Sequence, residues 1–242
     1  MSAQLEIANL HKRFGGLVAV NDVSFTLRPG EVVGLLGPNG SGKTTVMNMI
    51  SGALPSDGGR VRVGGVDITR MKPHRVARQG VARTFQLVRP LPTLSVAENV
   101  LLSLAFGRRR HWGREARDLA EEKLAFVGLA GRGEEQVGNL TYIDQKRLEM
   151  ARALASEPEL LLLDEWLAGL NPSELRIGID LVQHLQGQGM TVLLVEHIME
   201  AVRALCSRCI VMSAGEVIAE GESGEVLQRP AVIKAYLGDD HA

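Results

Sequence analysis

The chain has 242 residues, 45% hydrophobic and 23% charged, which suits a globular protein with a sizeable buried interior. Its formal net charge of −1 gives no push toward nucleic acid or acidic lipid. No apolar run approaches the roughly 20 residues that span a bilayer. The start, Met1-Ser2-Ala3-Gln4-Leu5, runs into a strand-like segment rather than a signal peptide, so a cytosolic protein able to dock on a membrane partner is expected.

Residues 4–10 and 17–27 alternate as in an antiparallel layer, punctuated by Gly15-Gly16 and Arg28-Pro29-Gly30. Phe14 sits just before the first turn. Two readings of it stand: a ring that stacks on a purine base, or a core residue under the small sheet. An apolar run, Val32-Val33-Gly34-Leu35-Leu36, then enters the loop Gly37-Pro38-Asn39-Gly40-Ser41-Gly42-Lys43-Thr44-Thr45, and a helix-compatible stretch follows to about Ile50. This is the G-x-x-x-x-G-K-[ST] pattern between a strand and a helix. Its glycines let backbone N–H groups turn inward around a phosphate, and the helix points its positive end at the same spot. Lys43 suits the β- and γ-phosphates, and the Thr44 hydroxyl suits Mg²⁺. The chain is expected to bind a nucleoside triphosphate.

Val61, Val63 and Val66 alternate with polar residues and glycines as in a hairpin running to Thr69, and a short amphipathic helix spans Pro73 to Gln79. Gly80 to Gln86 reads as a strand ending in a polar loop, where Gln86 suits ligation of Mg²⁺ or orientation of a water. Ser95, with Glu98 three residues on, forms a capping box that opens a helix from Val96 to Leu104. The basic run Arg108-Arg109-Arg110-His111-Trp112 reads as a solvated connection between helices, with contact to anionic headgroups as the other reading. An amphipathic helix from Arg114 to Val127 follows. Residues 88–155 are expected to form a helical lobe inserted into an α/β core made by 1–87 and 156–242.

The core resumes at Leu160-Leu161-Leu162-Leu163-Asp164-Glu165, a run that suits a central parallel strand with two carboxylates at its carboxyl end. Asp164 suits holding Mg²⁺ through water, and Glu165 suits polarising the attacking water. A loop, Ala168 to Pro172, leads to a helix begun by Ser173. A second buried strand, Thr191 to Val195, ends at Glu196-His197, and two readings of His197 stand: contact with a γ-phosphate, which its place at the end of a core strand favours, or a structural histidine. Cys206 and Cys209 lack the context of a redox or metal motif and read as ordinary thiols near a helix end.

In this order the pieces resemble an ATP-binding cassette (ABC) ATPase over essentially the whole chain. The resemblance rests on Phe14, Gly37 to Thr45, Gln86, Leu140 to Arg147, Asp164 with Glu165, and His197. It implies an α/β fold: a P-loop NTPase core of mostly parallel sheet, an antiparallel β subdomain and an inserted helical lobe. It also implies ATP and Mg²⁺ as ligands, and head-to-tail pairing with a second copy or a related cassette. Each signature helix would then complete the other's site. The run Ile210 to Leu237, with Ala82 to Gln86 and Ala168 to Pro172, resembles cassettes of branched-chain amino-acid uptake, to which urea and lipopolysaccharide-export cassettes are similar. Membrane permease subunits and, indirectly, a solute-binding protein are the implied partners, with no nucleic acid. A peripheral place on the cytoplasmic face of the inner membrane is implied too.

Two positions depart from the family. The signature, usually Leu-Ser-Gly-Gly-Gln, reads Leu140-Thr141-Tyr142-Ile143-Asp144. Thr141 keeps the hydroxyl expected to meet the partner's γ-phosphate. Ile143 replaces a glycine, and a β-branched residue resists positive φ and close backbone approach at a cost of about 1–3 kcal/mol, so closure of the pair is expected to be weaker or more dependent on the transporter. Trp166 stands where the family has proline and must find room and an N–H partner. A soluble ABC ATPase of repair or translation is the rival reading, as is a regulatory subunit that binds nucleotide without turnover.

Overall fold

The computed structural model describes residues 4–84 and 88–237. The strands β1 (Leu5–Phe14) and β2 (Leu17–Leu27) pair antiparallel around Gly15-Gly16. Their alternating pattern buries one face only. In β3 (Val32–Leu36), by contrast, all five residues are buried. The phosphate loop follows and runs into α1 (Lys43–Ile50). Strands β4 (Gly58–Val63) and β5 (Val66–Asp67) form a hairpin whose two turn residues, Gly64 and Gly65, have φ of +56° and +81°, a turn that only glycine or its mimics make cheaply. The antiparallel sheet has the order β2-β1-β4-β5. Helix α2 (Pro73–Arg78), with proline in its first turn, leads to the short strand β6 (Val81–Arg83).

Helix α3 (Val96–Phe106) opens on the Ser95/Glu98 capping box and runs two residues past the expected end at Leu104, because Ala105 and Phe106 continue it. Helices α4 (Gly113–Phe126) and α5 (Tyr142–Ala155) pack with it around Val100, Leu104, Ala116, Ala120, Leu124 and Leu148. In the loop between α3 and α4, Arg108 and Arg109 pair with Glu159 and Glu157.

After α5 come β7 (Leu160–Asp164), α6 (Pro172–Gly187), β8 (Thr191–Val195) and α7 (Met199–Leu205). Helix α6 begins one residue earlier than Ser173, because Asn171 caps it and Glu174 completes a second capping box. The chain closes with β9 (Arg208–Ser213), β10 (Glu216–Glu222), α8 (Ser223–Val226) and α9 (Pro230–Leu237). The second sheet has the order β10-β9-β3-β8-β7-β6, parallel throughout except for the antiparallel edge strand β10.

Strand periodicity divides the interior in two. Val33, Leu35, Leu160, Leu162, Leu193 and Val195 face a core shared with α1 and the antiparallel sheet. Val32, Leu36, Leu161, Leu163, Val192 and Leu194 face a core shared with α3 to α7. A sheet covered on both faces needs strands with no polar side, which is why these runs are continuous rather than alternating. Cys206 and Cys209 are buried free thiols packed beside Gly34. The parallel strands all end on the same edge, and there the loops after β3, β7 and β8 meet.

Candidate active site

The phosphate loop is shaped by backbone that leaves no room for side chains. Gly37 has φ +142°, and a Cβ there would lie 2.1 Å from the Met212 carbonyl oxygen. Gly42 has φ +103°, and its Cβ would lie 2.5 Å from the Ala19 carbonyl oxygen. The loop is thus wedged between β9 and β2. Lys43 donates to the carbonyl oxygens of Gly37 at 2.7 Å and Pro38 at 2.9 Å. Burial pulls its pKa down, and the nearby carboxylates of Glu165 and Asp164 only partly offset that.

A groove of about 440 Å³ opens over this loop, lined among others by Phe14, Gly40, Ser41, Lys43, Thr44 and Glu165. Phe14 is 48% exposed, which removes the core reading. Its ring forms one wall of the groove, with the Lys12 ammonium 5.6 Å from its centroid. Thr44, in the first turn of α1, is exposed to the same space.

The carboxylates at the end of β7 have different surroundings. Asp164 is buried, and its Oδ2 accepts from Arg83 Nη2 at 2.6 Å. Arg83 Nη1 donates in turn to Asn48 Oδ1 at 2.7 Å and Ser51 Oγ at 3.2 Å. One guanidinium therefore ties α1, β6 and β7 together, a role that nothing local in the sequence marks. Glu165 takes φ +49°, a strained value for a non-glycine residue of the kind that clusters at functional sites. Its N–H donates to the Val195 carbonyl at 2.8 Å, so β8 holds it there. Its Oε1 lies 2.7 Å from His197 Nε2. Gln86 lies outside the described residues.

Between them stands Glu196, which the sequence reading passed over. It is 1% exposed and accepts the N–H groups of Leu167 at 2.7 Å and His197 at 3.3 Å. The side chain thus clips the loop after β7 to the loop after β8. Burial pushes its carboxyl above the usual range, outweighing those two donors, and Glu165 adds to the rise.

The signature segment lies elsewhere. Thr141 caps α5, and its Oγ1 donates to Asp144 Oδ2 at 2.8 Å. Asp144 also accepts from Arg132 at 2.8 Å and Arg147 at 3.0 Å. Burial would raise this carboxyl, but the bonds from Arg132 and Thr141 hold it below the usual range. Ile143 is a buried residue in the first turn of α5 and is absent from the positive-φ positions. The positive φ expected at Ile143 does not arise, because the residue stands in a helical turn. None of Leu140 to Asp144 lines the groove, so Thr141 is not brought to Lys43.

Trp166 finds both room and a partner. It is fully buried, and its Nε1–H donates to the Lys146 carbonyl at 3.2 Å. Lys146, also fully buried, returns the bond from Nζ to the Trp166 carbonyl at 2.7 Å. The space comes from α6: a Cβ on Gly178 would lie 2.4 Å from Leu167 Cδ2 and 3.3 Å from Trp166 Cζ3.

Comparison with known proteins gives the family of the chain. The family described as ABC transporter matches residues 20–168, and the family described as branched-chain amino acid ATP-binding cassette transporter matches residues 216–242. The chain is 39% identical to the high-affinity branched-chain amino acid transport ATP-binding protein LivG of Salmonella typhimurium, over 97% of this chain and 98% of that one. It is 35% identical to the lipopolysaccharide export system ATP-binding protein LptB of Escherichia coli, over 98% of each. Among solved structures, the ADP conformation of MJ1267, an ATP-binding cassette of an ABC transporter, superposes with a TM-score of 0.89 at 32% identity, covering 99% of this chain and all of that one.

Proposed function

The chain belongs to the ABC transporter family of ATP-hydrolysing cassettes, and from that premise we propose that it is the ATPase subunit of an importer for branched-chain amino acids. The observation that carries the hydrolytic part is the Glu165–His197 contact of 2.7 Å at the mouth of the groove that holds Lys43. In this reading Phe14 stacks on the base, and the N–H groups from Asn39 to Thr45 with the Lys43 ammonium receive the phosphates. With a proton on Nε2, His197 donates to Glu165 and fixes the carboxylate that orients and deprotonates the attacking water. Glu196 keeps the two loops in register, so the pair arrives already aligned.

The oxygen donors present fit a hard cation: the Thr44 hydroxyl and the Asp164 carboxylate would hold Mg²⁺, with Gln86 as the third candidate. When bound, the ion supplies neutralisation of phosphate charge. Arg83 holds Asp164 at the end of β7 for that task.

Two cassettes pair, because the Thr141 end of α5 does not line its own chain's groove and is offered to a partner, either a second copy or a related cassette. Residues 88–155 act as the helical lobe that passes closure to separate permease subunits. Among the described residues no helix is long and apolar enough to cross a membrane, and the proposal places the chain on the cytoplasmic face of the inner membrane. Likeness to LptB supports a second reading, export of a lipid. Reconstitution with its permease subunits in liposomes separates the two. Leucine-loaded binding protein should raise ATP turnover several-fold. A rise with lipopolysaccharide instead, or none with either, would overturn the import reading.

A further inference from the structure

Helix α9 brings a side chain back to the start of the phosphate loop. The Tyr236 hydroxyl accepts a hydrogen bond from the Gly37 N–H at 2.8 Å, across 199 positions of sequence. Gly37 is confined on its other sides as well. Its carbonyl accepts from Lys43 at 2.7 Å, and its α-carbon faces the Met212 carbonyl so closely that a Cβ would stand 2.1 Å away. One residue is therefore held at its N–H by the C-terminal helix, at its α-carbon by β9 and at its carbonyl by the phosphate-binding lysine. The helix that carries Tyr236 is itself anchored: α9 packs on β10, and Val232 is 2% exposed.

We propose that Tyr236 is a positioning residue for nucleotide binding, which sets the first residue of the phosphate loop before the phosphates arrive. Pre-shaping of this kind lowers the ordering cost of binding and leaves the chemical step alone. Only the hydroxyl is needed for it, so the ring without the oxygen should bind nucleotide more weakly. The inference rests on the reading of the groove as the ATP site.

The test is Tyr236→Phe in the full chain, with ATP and ADP affinities and turnover measured beside the wild type. The expected result is a Kd for both nucleotides raised about two- to tenfold, the range that one neutral hydrogen bond commands. KM should rise in proportion while kcat at saturating ATP stays within twofold. An unchanged Kd overturns the inference, as does a loss of kcat at constant KM. Tyr236→Ala should match the Phe variant; a loss confined to Ala assigns the effect to ring packing and also overturns it. If neither variant folds, amide exchange of Gly37 in the wild type decides: protection like that of β3 supports the bond, and exchange at the solvent rate contradicts it. A wild type that binds no ATP would instead sink the reading of the groove itself.

Discussion

The two halves of the proposed site are built by different means. The phosphate loop is held by main chain: Gly37 and Gly42 touch carbonyl oxygens of Met212 and Ala19 at distances no Cβ tolerates. The signature end of α5 is held by side chains, with Asp144 accepting from Thr141, Arg132 and Arg147, and with Lys146 and Trp166 exchanging bonds. A main-chain fit admits one residue type, and there the family pattern is kept without change. A side-chain network can be rewired, and there the chain reads Tyr142-Ile143-Asp144 and carries Trp166. The half proposed to meet its own nucleotide is rigidly specified, and the half proposed for a partner differs at Ile143, Asp144 and Trp166, all buried, and at Tyr142, which is exposed.

Substitutions that attack main chain should therefore cost the most. Gly37→Ala combines the positive-φ penalty with a Cβ 2.1 Å from a carbonyl oxygen, and we expect a loss of about 3 kcal/mol or more in unfolding free energy, together with loss of ATP binding. Denaturant titration and a nucleotide-binding assay check both. Unaltered ATP affinity in this variant would break the comparison. Gly178→Ala attacks the half held by side chains, where the obstacle is the flexible tip of Leu167, so a smaller cost of about 1–3 kcal/mol is expected, with nucleotide affinity retained. A double-mutant cycle with Leu167→Ala should show coupling of about 0.5 kcal/mol or more.

The smallest effect concerns pH. Burial holds the Glu196 carboxyl above its ordinary value of 4.5, so in that window the folded chain keeps a proton that the unfolded chain has released. Its contribution to stability therefore falls as pH rises from 4.5 through the raised folded value. Unfolding of the wild type and Glu196→Gln across that range should show the wild type losing ground to the variant with rising pH. The opposite slope would mean that Lys146 and the two N–H donors dominate.

Much of this arrangement was legible in the sequence, for a physical reason. The loop at Gly37 to Thr45, the carboxylates after β7 and the histidine after β8 lie at strand ends, where local pattern and position coincide. Phe14 could not be decided from sequence because an aromatic before a turn suits either face of a sheet, and only its exposure settles the matter. Arg83 with Asp164, and Tyr236 with Gly37, join positions 81 and 199 apart, and no local signal encodes such pairs. The positive φ that a glycine lost from a motif suggests at Ile143 is absent, because the residue sits in a helical turn.

The central claim is that Glu165 drives hydrolysis in a site closed by a second cassette. Glu165→Gln should lower ATP turnover by about a hundredfold or more while ATP stays bound. Light scattering with saturating Mg-ATP should then show the mass of two chains in place of one. Turnover at the wild-type rate, or a single-chain mass with ATP bound, would contradict the account.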